Sequence, residues 1–449
     1  MAAAVFFTGW DLLGAQGLKP ERRLTSKTLF DLVKLSFGVV AGAGALVALV
    51  VAYRRQRIDE DGARRDATRL HNERFTTAVS QLGEESAAVR LGGVHALAGL
   101  ADDAPTPGLR QTCIDVLCSY LRLPYTAEAD LPQGDADARH KYMALREVRH
   151  TVIRLIRDHL RLPLDHSHSW QGHHFDFTAV TFDGGDFSGA VFSGGTVDFG
   201  RANFSSGIVG FVSTTFSGGT VDFDDANFSG GEVDFSHAVF SGGTVGFGHA
   251  KFSSGAVVFD NAMFSSGKVE FVFATFSDCA AFFDDAKFSG GTVGFGGATF
   301  SDAISFSKAK FSGGTVDFRV TNFSGGGRVN FNDATFSGGT VDFGHAKFSG
   351  GAVNFRPAAF SGGTVDFRRA IFSGSMVDFR QSGFSGGTVD FRRAAFFGTR
   401  VDFRQVAFSG GAVDFSDASG VAPTGLVPSN GSPLPIGLRL PSEWYPTMT

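Results

Sequence analysis

The sequence predicts a mainly β chain, in which a stacked, four-faced β-solenoid follows a transmembrane helix and a small α-helical region. Three observations support this fold class. Phe is concentrated in one part of the chain, with 45 of its 50 copies between Phe175 and Phe415. The octapeptide FSGGTVDF occurs six times in that part. Finally, an uncharged run of 19 residues near the N-terminus has the length of a membrane span.

The Phe residues of the repeat follow one another at alternating steps of five and seven residues. Helical periodicity does not produce this alternation, whereas a solenoid does if every Phe points inward and each face turns at a Gly-rich corner. We call a Phe that ends a five-residue step a five-step Phe, and one that ends a seven-residue step a seven-step Phe. A small residue stands two positions before nearly every five-step Phe, and Val stands two positions before most seven-step Phe. Because residues two apart share one side of an extended segment, we predict an interior of Phe, Ala and Val.

One coil is predicted to contain 24 residues and four Phe. The slot three residues before the seven-step Phe is Thr in most alternate units and never Thr in the interleaved units. Two of the seven-residue steps deviate by one residue in opposite directions, Phe300 to Phe306 and Phe323 to Phe331. The seven-residue step therefore contains a turn that can gain or lose one residue. Stacking at about 4.8 Å gives roughly ten coils and a rod of about 50 Å.

The steps of the form A-x-F-S-G resemble those of the pentapeptide-repeat family, over about Phe175 to Phe415. Similar proteins form right-handed quadrilateral parallel β-helices, and this resemblance implies the same fold here. The chain is also similar to bacterial members that carry an N-terminal membrane helix, a helical region and a Phe-rich variant of the repeat. It departs from the simple pattern by two extra residues in every second step, which predicts two longer faces.

Charged residues flank the inward Phe in the distal units. Asp precedes it and Arg follows it, so both point outward and neutralise each other along the stack. Residues 175–302 carry 15 acids and 4 bases, whereas residues 303–418 carry 9 acids and 13 bases. We predict that the distal charges form an interaction surface, and a solvated ladder that only keeps the rod soluble is the alternative. The candidate surface comprises Asp366, Arg368, Asp378, Arg380, Asp390, Arg392, Asp402 and Arg404.

Five segments are expected along the chain. Basic residues flank the apolar run on both sides, and the RRQR that follows it favours a cytoplasmic location for the rod in a single-pass protein of the cell membrane. The segments are a cytoplasmic or external stretch at 1–34, the transmembrane helix at 35–53, a HEAT-like helical region at 54–163, the β-helix at 175–418, and a Pro/Gly-rich tail at 419–449 that is a cap or disordered.

The Cys and His residues predict structural roles. Cys113 and Cys118 lie on an apolar helix face and are expected in a core. The tract DHSHSWQGHH contains four His, but no second cluster completes a metal site, so we expect an entry loop whose Trp170 covers the first coil. No catalytic residue, cofactor or metal is predicted.

The function predicted by elimination is a membrane-anchored, non-catalytic scaffold for an unidentified protein partner. No nucleophile elbow, metal signature or phosphate loop occurs, which argues against an enzyme and a small-molecule substrate. The net charge of −5 argues against a nucleic-acid partner. Besides protein, the expected partner is the lipid bilayer, through residues 35–53. Two alternatives stay open: a DNA mimic that binds DNA gyrase, as the family resemblance suggests, and a binder of surface or envelope polysaccharide.

Overall fold

The structure is a computed structural model that describes residues 11, 23, 25–324, 326–374, 376–398, 400–427 and 433–445. The chain forms two compact units, Met1–Leu70 and His71–Thr449. Most of the predicted N-terminal segment at 1–34 lies outside the described residues.

Helix α1 (Ser26–Leu82) contains the apolar run that the sequence singled out. It is long and apolar enough to cross a membrane, and its apolar stretch is not buried within the described chain. Leu35, Phe37 and Leu46 are each at least 65% exposed.

Three further helices precede the solenoid: α2 (Ala87–Asp102), α3 (Pro107–Arg122) and α4 (Ala136–Arg161). The side chain of Thr106 accepts the Leu109 N–H at the start of α3, and that of Asp135 accepts the Ala138 N–H at the start of α4, which are typical N-terminal caps. The buried residues of these three helices and the interior residues of the solenoid form one continuous hydrophobic core. Short 3₁₀ turns lie at Glu128–Asp130 and Ser442–Trp444.

The predicted parallel β-solenoid is confirmed, with four short strands in most coils and with the last two merged into one long strand in three described coils. We number the faces 1 to 4 in chain order. Strands on one face pair in parallel with strands one coil away, for example Thr220 with Thr196 and Thr244 on face 4, which confirms the 24-residue period. Face 1 holds eleven described strands, against the roughly ten coils predicted.

All face-1 strands but the last end at a five-step Phe, and the strands of face 2 end before the next inward Phe. Face 1 comprises Thr181–Phe182, Asn203–Phe204, Asn227–Phe228, Lys251–Phe252, Thr275–Phe276, Thr299–Phe300, Asn322–Phe323, Lys347–Phe348, Ile371–Phe372, Ala395–Phe396 and Ser419–Gly420. Face 2 comprises Gly185–Asp186, Ile208–Gly210, Glu232–Asp234, Ala256–Val258, Ala280–Phe282, Ile304–Ser305, Val329–Asn330, Val353–Asn354, Met376–Asp378 and Arg400–Asp402.

Faces 3 and 4 belong to one sheet because three long strands run through both. Face 3 comprises Val191–Phe192, Thr215–Phe216, Val239–Phe240, Met263–Phe264, Lys287–Phe288, Lys310–Phe311 and Ala407–Phe408. Face 4 comprises Phe175–Asp176, Thr196–Asp198, Thr220–Asp222, Thr244–Gly246, Lys268–Glu270, Thr292–Gly294, Thr315–Asp317, Ala412–Asp414 and Leu438–Arg439. The long strands are Thr335–Asp342, Ala359–Asp366 and Gly383–Asp390.

The interior consists of stacked Phe rings, as predicted. The ring of Phe223 is fully buried and lies parallel to those of Phe199 and Phe247, at centroid distances of 4.6 and 4.7 Å. It meets Phe211 edge-on at 5.8 Å, so rings from faces 2 and 4 touch across the core. These two faces are therefore opposite each other. Offset-stacked and edge-to-face pairs are the favourable arrangements of aromatic rings.

Polar residues occupy the small interior slot in three coils, which the sequence pattern did not reveal. Thr214, Thr321 and Ser382 are at most 1% exposed. Their hydroxyls donate to the carbonyls of Phe187, Phe295 and Phe355, at 3.1, 2.8 and 2.8 Å. A buried hydroxyl is tolerated when it is hydrogen-bonded, so these substitutions leave the stack intact.

Two kinds of corner turn the chain. After faces 1 and 3 the second Gly of the SGG segment sits against the coil before it: a Cβ on Gly243 would lie 2.5 Å from the carbonyl oxygen of Gly219, and its φ is +67°. After faces 2 and 4 a tight turn is closed by a bond such as that from the Ala202 N–H to the Phe199 carbonyl, at 2.9 Å. The residue between them, two after the seven-step Phe, has positive φ in most coils although it is seldom Gly. We call this position the corner slot.

The chain covers both ends of the Phe stack. Trp444 lies 5.7 Å from Phe415 and 6.0 Å from Phe396, and its indole N–H donates to the Gly420 carbonyl. At the other end Arg149 of α4 donates to the Thr181 carbonyl in the first coil, at 2.6 Å, and the buried ring of Trp170 stacks on His159 of α4, at 4.1 Å. These contacts protect strands and rings that would otherwise be open to association.

Candidate interaction surfaces

The eight predicted surface residues lie on two opposite faces of the solenoid. We call one group the face-2 ladder and the other the face-4 ladder. The face-2 ladder consists of Asp378, Arg380, Asp402 and Arg404. The face-4 ladder consists of Asp366, Arg368, Asp390 and Arg392.

In the face-2 ladder each Arg is held in place by the Asp two residues before it. Nε and Nη2 of Arg380 donate to Asp378 at 2.9 and 2.6 Å, and Nε also lies 3.8 Å from Asp402 in the next coil. The Asp402 side chain is completely buried, whereas that of Arg404 is 49% exposed. The carboxylates therefore lie beneath the guanidinium groups, which face the solvent.

Pairing with Arg shifts the titration of the Asp402 carboxylate. The hydrogen bond from Arg404 holds the pKa of Asp402 below its ordinary value, against the opposing effect of burial. In the proximal coils Asp222 has no Arg beside it, and burial, together with the carboxylates of Asp224 and Asp198, raises its pKa. The Arg residues thus relieve repulsion that is present in the proximal coils.

A groove of about 390 Å³ lies over the face-4 ladder. Gly344 occupies the ladder slot that Arg319 and Arg368 fill in the coils on either side, so the ladder has a gap there. The guanidinium groups along the groove are those of Arg368, Arg369, Arg392 and Arg393, and the carboxylates are those of Asp342, Asp366 and Asp417.

Two of these Arg residues were not predicted as surface residues, because they occupy the corner slot rather than the ladder. Arg393 lies 3.8 Å from Asp417, and Arg369 forms no ion pair within the described part of the chain. Arg369 and Arg393 could have been found in the sequence by their position, two residues after an inward Phe. Three His residues, His237, His249 and His345, also occupy this slot. His345 lines the groove, and His249 stacks on Phe273 at 5.4 Å.

The His tract and the Cys residues form structural contacts. His174 Nδ1 accepts the Thr196 N–H, and His173 Nδ1 lies 3.0 Å from Gln111 Oε1, which also accepts the His174 N–H. Cys113 and Cys118 are buried, as predicted, and burial raises their thiol pKa values to about 11 and about 12.

One charged contact between the helices and the first coil was also missed. Asp183 is buried and accepts hydrogen bonds from the hydroxyls of Tyr125 and Tyr142, at 2.5 and 2.7 Å. Arg146 and His150 each lie 3.6 Å from its carboxylate. This cluster fixes α4 against the start of the solenoid.

Comparison with known proteins agrees with the repeat and the fold. Residues 295–346 match the family described as pentapeptide repeats (9 copies). No curated protein and no solved structure matches the chain significantly. The matched segment covers strands of all four faces in the middle of the solenoid, and the same 24-residue coil continues on both sides of it. The Phe-stacked parallel β-solenoid therefore contains a segment that matches pentapeptide repeats.

Proposed function

We propose that this protein is a membrane-anchored, non-catalytic scaffold that holds an acidic partner protein on its face-2 ladder. The observation that carries the proposal is the arrangement of that ladder, in which buried carboxylates orient exposed guanidinium groups. Pentapeptide-repeat solenoids are generally non-catalytic, and the regular coils here present flat faces of repeated side chains. Such surfaces are well suited to binding another macromolecule.

Residues 35–53 of α1 supply the anchor. Their apolar side chains are exposed in the described chain, which opposes a role as a buried helix of a soluble domain. A continuous apolar surface of this length is stable where lipid covers it. The basic residues directly after the span favour a cytoplasmic location for the solenoid.

The face-2 guanidinium groups are prepared for an external carboxylate. The bonds from Arg380 and Arg404 to their own Asp use Nε and Nη2, which leaves Nη1 of each for a partner. Arg400 adds a third cation, 3.6 Å from Asp402 and 59% exposed. Arg side chains held in a fixed orientation lose little entropy on binding, and bonds to carboxylates are stronger than neutral ones.

The test removes each Asp–Arg pair together, so that no buried charge is left unpaired. In the same ladder slots two coils earlier the chain has Asn330 and Asn332, so D378N/R380N/D402N/R404N reproduces an arrangement that the fold already holds. The matched control is D390N/R392N on the opposite face. Affinity-purified full-length protein from its own membranes should lose one major cross-linked partner in the face-2 variant and keep it in the control. Retention of every cross-linked protein in the face-2 variant would refute the proposed surface.

A further inference from the structure

A second feature of the solenoid has no role in the proposed function. Phe273 and Val320 are 57% and 60% exposed, and both have positive φ, at 57° and 60°. Left-handed backbone is unfavourable for bulky and β-branched residues, and apolar exposure adds to this disadvantage. Both residues occupy the corner slot of face 4, one coil before and one coil after Gly297. The fold does not require them, because other coils place Asp, His or Arg in this slot.

The side chains in this column are complementary about Gly297. One coil away on either side the slot is apolar, two coils away it is His, and three coils away it is Asp on one side and Arg on the other. In chain order the slot holds Asp225, His249 and Phe273 before Gly297, and Val320, His345 and Arg369 after it. If this column is placed against a second, reversed copy of itself, the apolar residues face each other, the His residues face each other, and Asp faces Arg.

We propose that face 4 forms an antiparallel dimer with a second copy of this chain, about a two-fold axis that passes by Gly297. This two-fold axis lies in the interface and runs across face 4, perpendicular to the rod. It reverses the order of the coils in the second copy. It also leaves each column of side chains opposite the same column of the second copy. Phe273 then faces Val320 of the second copy, and Asp225 faces Arg369. The dimer is isologous, as most two-fold interfaces are.

Charges next to the column agree with this pairing. Asp224 stands beside Asp225, and Arg368 beside Arg369, so the dimer brings two carboxylates of one copy to two guanidinium groups of the other. Asp225 and Arg369 form no ion pair in the described part of a single chain, and each would gain its partner in the dimer. The groove over the face-4 ladder, with its four Arg residues, is the place that the Asp224–Asp225 corner enters.

The centre of the contact is open enough for two rods to approach. Gly297 has no side chain, and the ring of Phe273 lies over it, within 2.6 Å of where a Cβ would stand. Gly294 and Gly296 leave neighbouring ladder slots of face 4 empty as well, whereas the carboxylate of Asp224 lies over Gly246 and Gly248. Four coils from the centre Arg201 would meet Arg393, so the favourable strip ends there. Seven coils span about 30 Å, which corresponds to a weak, concentration-dependent dimer.

The face-2 ladder stays exposed in this dimer, so the inference does not depend on the proposed external partner.

Disulfide formation tests the arrangement. The native Cys113, Cys118 and Cys279 are buried, so engineered surface Cys residues are the reactive ones. Full-length F273C/V320C in membranes should form a covalent dimer on mild oxidation. V320C alone should stay monomeric, because its two copies lie about 10 Å apart along the rod, beyond the reach of a disulfide. A covalent dimer of V320C alone would indicate parallel pairing and overturn the proposal, as would a monomeric double variant.

Charge reversal tests the pairing of Asp225 with Arg369. D225R and R369D should each weaken dimerisation of the detergent-solubilised full chain about tenfold or more, and D225R/R369D should restore it. Both substitutions place in the corner slot a residue type that other coils already hold there. The matched control is K308D/D333R in the corner slot of face 2, which should leave dimerisation unchanged. A double variant as weak as the single ones would contradict the proposal.

Discussion

Replacement of Phe295 by Asp is expected to prevent the middle of the solenoid from folding. The ring is fully buried and stacks on Phe271 and Phe318, at 4.9 and 4.8 Å. It also meets Phe283 and Phe306 edge-on. Loss of the ring alone should cost about 3–5 kcal/mol, and an unpaired carboxylate in the same place adds several more. We expect full-length F295D to be insoluble, or to be cut by protease within the repeat.

Phe273 provides the matched control for this experiment. It is also a Phe of the repeat, but it is 57% exposed and sits in a corner slot with positive φ, where Asp occurs in other coils. F273D should therefore remain folded and protease-resistant. Equal resistance of F295D and F273D would contradict the inward orientation of the Phe stack.

Replacement of Asp183 by Ala is expected to detach the helical region from the first coil. The substitution leaves the hydroxyls of Tyr125 and Tyr142 without their acceptor and removes the carboxylate beside Arg146 and His150. Removal of one partner from a buried charged cluster costs about 3–5 kcal/mol. The control is D186A: the Asp186 side chain is 50% exposed, and its pair with Arg157 should contribute less than about 1 kcal/mol. Hydrogen exchange of residues 136–161 should rise strongly in D183A and little in D186A.

The same contact should weaken in acid. Burial alone would raise the pKa of Asp183, but the nearby imidazole of His150 and the hydrogen bonds from Tyr125 and Tyr142 outweigh it and lower the pKa from 3.8 to about 2. Because the folded pKa is depressed, the stabilisation is complete above pH 3.8 and is lost as the pH falls towards 2. Exchange of residues 136–161 should therefore increase between pH 4 and pH 2. D183N should show a smaller increase over this interval, and an equal increase would assign the acid effect to other carboxylates.

Much of the fold follows from the sequence because one rule repeats. The alternating steps place each Phe inside, and a change of one residue at a corner does not alter this. The strands Ile304–Ser305 and Val329–Asn330, which lie within the two irregular steps, still pair with each other in parallel register. The candidate span is equally local, since 19 uncharged residues are contiguous.

Contacts between distant segments could not be read from the repeat. Asp183 looks like any outward residue of a coil, and only the return of α4 across the first coils shows that it is buried. The assignment of Asp378 and Asp390 to opposite faces needs the coil geometry as well as the period. The corner slot carries almost any residue type, from Arg369 to Phe273, so its left-handed backbone has no compositional signal.

The most direct test of a membrane-anchored scaffold is the topology of the full-length chain. A C-terminal fusion to reporters that are active on only one side of the membrane, combined with protease protection, locates the solenoid. We expect activity of the cytoplasmic reporter and protection of the repeat in intact cells. Deletion of residues 35–53 should release the protein from the membrane fraction. Activity of the external reporter would contradict the proposed orientation, and a soluble full-length chain would contradict the anchor itself.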